Sequence, residues 1–332
     1  TRATFMVYLD YYRELTRFLE QLVPDKGKAT ILSSIGFVHP AKIEINRQIR
    51  RTLAQSNQKF EFTQGTKGAV MIAFTLPDLP FVLKMVADKS DKTTFAGKAD
   101  VIQKYKFVHH HDRAGRMLDT MFYANVRFKK SDFTEEVLAE ILSRSPTSVT
   151  IDQEDIILDH LLVQRKVTPL DVVLFKERDK YDMATRIKIL IEWGFCQKDI
   201  ASVGIFSGDF LYKNYGVTAA GRVVLFDYDD VDELSKWKMC SMPIPRTDYE
   251  MEAPLEDWFT VGPYDFFPEQ FRFFISPRAI GEEESNAYLA VHEDMYFPAW
   301  WENVKVALEN GKVLNVYPYP ARHRLQDIDL EL

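Results

Sequence analysis

Residues 207–230 read SGDFLYKNYGVTAAGRVVLFDYDD. Apolar runs on either side of a Thr-Ala-Ala-Gly turn mark the stretch as two buried strands joined by a hairpin. Yet it carries Asp209, Asn214, Asp227 and Asp229. Charge is costly to bury in such a setting unless it is paired or coordinated. Either these residues cluster at an exposed hairpin end, or something positive meets them.

Their spacing favours the second reading. Asp209 and Asn214 stand as D-x-x-x-x-N, and Asp227 follows thirteen residues after Asn214, at the end of the strand RVVLF. In phosphoryl-transfer sites of the protein-kinase type, the first Asp takes the proton of the attacking hydroxyl. The Asn and the later Asp hold the Mg²⁺ that bridges the nucleotide phosphates. The spacing alone is common by chance, so the rest of the chain has to supply the missing parts.

Two upstream segments do so. In TQGTKGAVMIAF (63–74), Gly65 and Gly68 allow backbone N–H groups to approach an anion, and Lys67 adds charge. By itself this is equally an ordinary hairpin turn. In PFVLKMV (80–86), alternation sets Phe81, Leu83 and Met85 on one face and Val82, Lys84 and Val86 on the other. A lysine between two valines is either an edge-strand charge that blocks aggregation or a phosphate ligand. A glycine loop, a strand lysine, D-x-x-x-x-N and a strand Asp, in that order, point to the phosphate ligand.

The wider chain fits an α+β, bilobal protein-kinase-like fold with preceding helices. Residues 1–57 read as a helical segment, 58–164 as a β-rich N-lobe and 165–332 as a helical C-lobe. Helical stripes are predicted over 4–22 and 41–55, then a hairpin and third strand over 59–86. A strand at 121–128, a helix at 133–143 and strands near 148–151 and 156–163 follow. Helices are predicted at 181–197, 230–238, 267–274, 283–295 and 299–309, with a surface loop over 247–257. At 332 residues the chain is long enough for two lobes, and its formal charge of −7 argues against a general nucleic-acid binder. No apolar run approaches the ~20 residues of a membrane span. Cys196 and Cys240 read as free thiols of a reducing, cytoplasmic setting. The chain begins without Met and enters a helical pattern at once, which reads as a fragment or a processed chain.

Smaller features refine the site. Gly208 precedes Asp209 where many protein kinases place an Arg that answers a phosphorylated loop, so activation by that route is not expected. Tyr228 and Asp229 follow Asp227, and an extended backbone puts Asp229 on the side of Asp227. There it would orient a water or a metal, or else cap a helix starting near 230. Three consecutive histidines, 109–111, cannot all face one metal, and no zinc site is expected from them. Arg113, Arg116 and Asp119 form a polar group around Gly115. The carboxylate partner of Lys84 is expected from the 133–143 helix, with Glu140 first and Glu136 next.

The segments GTKGAVM, FTLPDLPFVLK, HDRAGRMLDT, GDFLYKNYGVT, GRVVLFDYDD and VGPYDFFPEQF together resemble the bacterial isocitrate dehydrogenase kinase/phosphatase family, from about residue 20 to the C-terminus. The resemblance implies a kinase-like catalytic domain after a helical regulatory domain, most of which is missing here. It implies reversible phosphorylation of a serine of isocitrate dehydrogenase, the protein partner, at one site that uses ATP/ADP and Mg²⁺ (or Mn²⁺), with AMP as an effector. Carried over by residue, Thr63, Gln64, Gly65, Thr66, Lys67, Gly68 and Ala69 match the ATP loop and Lys84 the ATP lysine. Asp119 matches an active-site aspartate, Asp209 the catalytic aspartate, and Asn214 and Asp227 the metal ligands. Gln164 departs from the pattern, which has an acidic residue in that hinge-like segment, and GFVHPAKIEINR departs from a Gly-Lys-Thr-rich stretch. Two other classes fit the residues alone: a small-molecule kinase and an inactive nucleotide-binding regulator.

Overall fold

The computed structural model describes residues 10–24, 26–93, 95–208 and 210–311. The chain divides into two compact units. The first comprises residues up to Tyr181 together with Leu211–Val231, and the second comprises Asp182–Phe210 and the chain from Asp232 onward.

The first unit opens with helices α1 (Tyr12–Leu22), α2 (Lys28–Ser34) and α3 (Val38–Gln55). The start of the first predicted stripe, with Phe5 and Leu9, lies outside the described residues. Strands β1 (Glu61–Phe62), β2 (Met71–Thr75) and β3 (Phe81–Val86) then form an antiparallel meander. Helix α4 (Lys98–His111) follows, then β4 (Thr120–Lys129), α5 (Glu135–Arg144), β5 (Val149–Asp152) and β6 (Asp155–Arg165). The sheet order is β1-β2-β3-β6-β4, with β5 paired to the first half of β6. Thr134 caps α5 by accepting from the Val137 N–H. Phe81, Leu83 and Met85 enter the core of this unit with Leu161 and Val163. Phe60 packs against Phe74, Phe128 and Phe133 at ring-centroid distances of 5.4, 5.1 and 4.9 Å in the same core.

After β7 (Thr168–Pro169) the chain enters the second unit through α6 (Met183–Ala201), whose first turn is capped by the Asp182 carboxylate on Thr185 N–H at 2.8 Å. β8 (Ile205–Phe206) completes that excursion. The chain returns to the first unit for the hairpin β9 (Tyr215–Val217) and β10 (Val223–Leu225), which extends β7 into a three-stranded sheet. The quoted stretch therefore folds as the expected pair of strands.

The remaining elements belong to the second unit: β11 (Asp232–Glu233), β12 (Lys238–Met239), α7 (Asp248–Glu252), α8 (Leu255–Trp258), β13 (Asp265–Phe266), α9 (Pro277–Ile280), α10 (Glu282–His292) and α11 (Pro298–Glu309). No helix forms at 230–238. Asp232 and Glu233 pair with β8, only Leu234–Lys236 make a 3₁₀ turn, and Lys238–Met239 pair with β13. Backbone partners distant in sequence satisfy the groups that a helix would have satisfied locally. Residues 267–274 are likewise a 3₁₀ segment, Pro268–Phe273, and the expected loop at 247–257 holds the short helices α7 and α8. α6 packs on α10 where Gly194 leaves room for the His292 ring: a Cβ at residue 194 would lie 2.3 Å from it. His292 Nε2 lies 2.9 Å from the Ile191 carbonyl oxygen, and the buried pair Arg186–Glu284 closes at 2.9 Å.

Candidate active site

Lys84 is not an edge residue. β3 runs between β2 and β6, with Lys84 opposite Ala73 and Leu162, and the lysine is only 5% exposed. The aggregation-blocking reading fails for that reason. The Lys84 ammonium donates to the Phe226 carbonyl oxygen at 2.8 Å, and Phe226 N–H donates to the Asn214 carbonyl oxygen at 3.0 Å. Phe226 thus links the strand lysine, the asparagine and Asp227, the next residue in the chain. The buried side of Asn214 (5% exposed) belongs to the same corner of the hairpin.

The residues around this link were partly illegible from sequence. α4 is weakly marked in the sequence, where only Val101, Tyr105 and Val108 form its buried face among lysines and histidines. It delivers Tyr105, whose hydroxyl donates to Asp227 Oδ1 at 3.3 Å and whose ring centroid is 5.9 Å from the Lys84 ammonium. A stripe at 101, 105 and 108 was the available signal. Glu140, expected beside Lys84, instead pairs with Lys67 at 3.2 Å and Arg144 at 3.1 Å. It sits on α5, and the helix that presents a side chain to Lys84 is α4.

The turn after α4 brings in further acids. Asp112 Oδ1 accepts from the N–H groups of Ala114 and Gly115 at 3.0 and 2.9 Å, and Gly115 adopts φ +68 to make the turn. Residues 116–118 then run beside β10: Leu225 N–H donates to Arg116 O, and Leu118 N–H to Leu225 O. Arg116, in the sequence-predicted polar group, is buried and donates to Val223 O at 3.4 Å. Tyr228, fully buried, donates its hydroxyl to Leu118 O at 2.6 Å and feels the charges of Asp112, Asp119 and Asp227. This hydrogen bond ties Leu118, the neighbour of Asp119, to Tyr228, the neighbour of Asp227. A cavity of about 20 Å³, room for a single water, lies among Tyr105, His109, Asp112, Leu118, Asp119 and Thr120.

Asp229 is 8% exposed and bound by Lys92 Nζ at 2.7 Å, and Lys92 also contacts Asp230. Lys104 of α4 donates to the Asp229 backbone oxygen at 2.7 Å. Asp229 does not cap a helix, since none begins there; its segment is a turn held by two lysines. Burial, then the charges of Asp227 and Asp230, push the Asp229 carboxyl up to about 6. Burial also lifts Asp112 to about 6, with Asp119 adding to the shift. Burial lowers the Lys84 ammonium from its ordinary value, opposed by Asp227 and Asp229. Burial works against charge on Lys92 too, but hydrogen bonds to Asp229 and Asp230 raise it.

The glycine loop is braced. Thr63 N–H reaches Ala73 O at 3.4 Å, and Thr66 Oγ1 donates to Asp171 Oδ2 at 3.1 Å. Arg144 donates to the carbonyl oxygens of Gly68 and Ala69. Gln64 and Gly65 form the bend, where Gly65 has φ +108 and a Cβ would lie 3.3 Å from Pro169 Cγ. Lys67 lies 4.3 Å from the Phe62 ring centroid as well as on Glu140. Asp209 falls outside the described residues.

Among the described residues no three His, Cys, Asp or Glu side chains converge as a metal cage. A Mg²⁺ carried in with nucleotide phosphates needs only one or two protein oxygens, and Asn214 and Asp227 are a donor set of that size and kind. Among the described residues, no helix is long and apolar enough to cross a membrane.

An α+β unit with a buried lysine on an interior strand, tied to the Asn and Asp of a following hairpin, has the organisation of a kinase-like fold. Comparison with known proteins gives the family. The isocitrate dehydrogenase kinase/phosphatase (AceK) kinase domain matches residues 58–321, and the regulatory domain of the same family matches residues 1–57. The isocitrate dehydrogenase kinase/phosphatase of Colwellia psychrerythraea is 36% identical over 332 residues, covering 97% of this chain and 55% of the relative. Isocitrate dehydrogenase kinase/phosphatase 2 of Pseudoalteromonas translucida is 34% identical over 325 residues, with the same coverage of 97% and 55%. The chain belongs to the isocitrate dehydrogenase kinase/phosphatase family. It spans about half the length of these curated relatives.

Proposed function

We propose that the protein is a Mg-ATP-dependent serine kinase and phosphoprotein phosphatase acting on isocitrate dehydrogenase in the cytoplasm, and so sets flux between the citric acid cycle and the glyoxylate bypass. The observation that carries the reading is the link through Phe226, which ties Lys84 to Asn214 and places Asp227 next in the chain. Residues 1–57 would be the helical segment preceding the catalytic domain, 58–164 its N-lobe and 165–332 its C-lobe.

In this reading Lys84 and the 63–69 loop hold the ATP phosphates. A buried lysine whose charge is disfavoured by its surroundings gains most from an arriving polyanion. Asn214 and Asp227 hold the metal, which supplies charge neutralisation on the transferring phosphoryl group. Tyr105 orients the Asp227 carboxylate. Asp209 orients and deprotonates the serine hydroxyl, so catalysis is positioning and electrostatics. In the reverse direction ADP stays bound, and Asp229 or Asp119 positions the water that attacks phosphoserine. A carboxyl lifted to about 6 is suited to exchange a proton near neutral pH.

The test is incubation with isocitrate dehydrogenase and Mg-ATP, with and without AMP, followed by mass spectrometry for phosphoserine. The phosphorylated product is then returned with Mg-ADP and phosphate release is measured. Phosphorylation of hydroxyl metabolites in place of the protein would favour a small-molecule kinase. Nucleotide binding without transfer to either would favour an inactive regulator.

A further inference from the structure

Gln164, one residue before the end of β6, is 2% exposed, yet its amide is only half satisfied. Nε2 donates to Thr120 Oγ1 at 2.8 Å, while Oε1 is buried without a hydrogen-bond partner. A buried amide oxygen left this way is costly, since such atoms in folded proteins ordinarily have a protein or water partner, and the lack of one calls for a functional explanation.

The sheet register fixes where this amide lies. Gln164 pairs with Val82 of β3 and Thr120 of β4, and Lys84 pairs with Leu162. Paired residues share a face and alternate residues change face. Lys84, Leu162, Gln164 and Thr120 are therefore on one side of the sheet, while Leu83, Met121 and Val163 enter the core on the other. The orphan acceptor is on the face of the lysine, one strand across and two residues along. All of these residues lie within the first unit.

We propose that Gln164 reads the 6-position of a purine nucleotide, a role that rests on the reading of Lys84 as a phosphate ligand. With the phosphates on Lys84, the base is the part of the nucleotide left to reach further across the same face. Oε1 accepts from the 6-amino group of adenine. The Thr120 hydroxyl accepts from Nε2 and donates only a long bond of 3.5 Å to Leu118 O; turned from that bond it donates to the amide instead, which then sits in the opposite sense, accepting from Thr120 and donating Nε2 to a 6-oxo group. The two senses occupy the same volume. Gln164 therefore admits 6-amino and 6-oxo purines alike and disfavours a purine that carries only hydrogen there.

The experiment is competition of Mg-ATP, Mg-ITP and the Mg-triphosphate of purine riboside against a fluorescent ATP analogue on this chain. The variants are Gln164→Glu, Gln164→Met and Lys84→Met, each first checked for an unchanged melting transition. For the wild type we expect ATP and ITP within about threefold of each other, and both about fivefold to tenfold tighter than the 6-unsubstituted nucleotide. Gln164→Glu, an acceptor only, should weaken ITP about tenfold relative to ATP. Gln164→Met should bind all three alike, which also serves if the glutamate variant does not fold. Equal binding of the three by the wild type, or discrimination that survives in Gln164→Met, overturns the inference alone. If none of the nucleotides binds the wild type, or Lys84→Met leaves binding intact, the nucleotide reading of Lys84 falls and this inference with it.

Discussion

The Lys84 ammonium and the Phe226 carbonyl oxygen lie 2.8 Å apart although 142 positions separate them in the chain. This one hydrogen bond fastens the interior strand of the six-stranded sheet to the hairpin that carries Asn214 and Asp227.

If Asp227 holds the metal, Asp227→Ala should abolish phosphoryl transfer, lowering kcat by at least about a thousandfold, because water does not replace a ligating carboxylate at that position. The fold should persist: Asp227 is only part-buried, and the hydroxyl of Tyr105 loses one long hydrogen bond at 3.3 Å. Turnover and thermal melting on the same preparation check both halves. Unchanged turnover would remove Asp227 from the site.

Gly65→Ala tests the loop. At φ +108, with Pro169 Cγ 3.3 Å from the new Cβ, alanine is both strained and crowded. The cost should be about 1–2 kcal/mol, taken up by a shift of the loop. Mg-ATP affinity should fall several-fold while the melting temperature changes by only a few degrees. A nucleotide titration that matches wild type would dissociate the 63–69 loop from phosphate binding.

Asp112→Asn should stabilise the protein at neutral pH. The folded state lifts this carboxyl to about 6, above its unfolded value, so the folded chain holds the extra proton. Its contribution is fully present below the unfolded pKa and is lost as pH rises through about 6. Asparagine keeps the Oδ1 acceptor for Ala114 and Gly115 without the charge. Urea titrations should show a gain of about 1–3 kcal/mol at pH 7.5 that shrinks toward nothing near pH 4. A gain independent of pH would trace the effect to packing.

Asp229→Ala should retain substantial kinase activity and lose most phosphatase activity, if Asp229 serves the attack of water on phosphoserine. The assays are forward transfer with Mg-ATP and phosphate release with Mg-ADP on phosphorylated isocitrate dehydrogenase. Equal loss in both directions would instead make Asp229 the anchor that Lys92 and Lys104 hold in place.

Local pattern carried a good part of this protein. Alternation alone put Lys84 on the face opposite Phe81, Leu83 and Met85, because side-chain direction is a property of neighbouring residues, and the order of glycine loop, strand lysine and D-x-x-x-x-N singled out Asn214 and Asp227. Pairing is not such a property. That β3 is interior follows from its register with β2 and β6, and a lone lysine in an apolar run reads the same on an edge strand. Helix propensity suggested 230–238, but strands β8 and β13 took its backbone groups. Glu140 pairs with Arg144 of its own helix and with Lys67 of the glycine loop, while tertiary packing turns α4, with Tyr105, toward Lys84 and Asp227. The half-satisfied amide of Gln164 was visible in no motif, since it exists only where Thr120 meets it across the sheet. What the sequence determined was which residue types stand at which spacing; which of them meet was decided by long-range burial and hydrogen bonding, whose partners stand far apart in the chain.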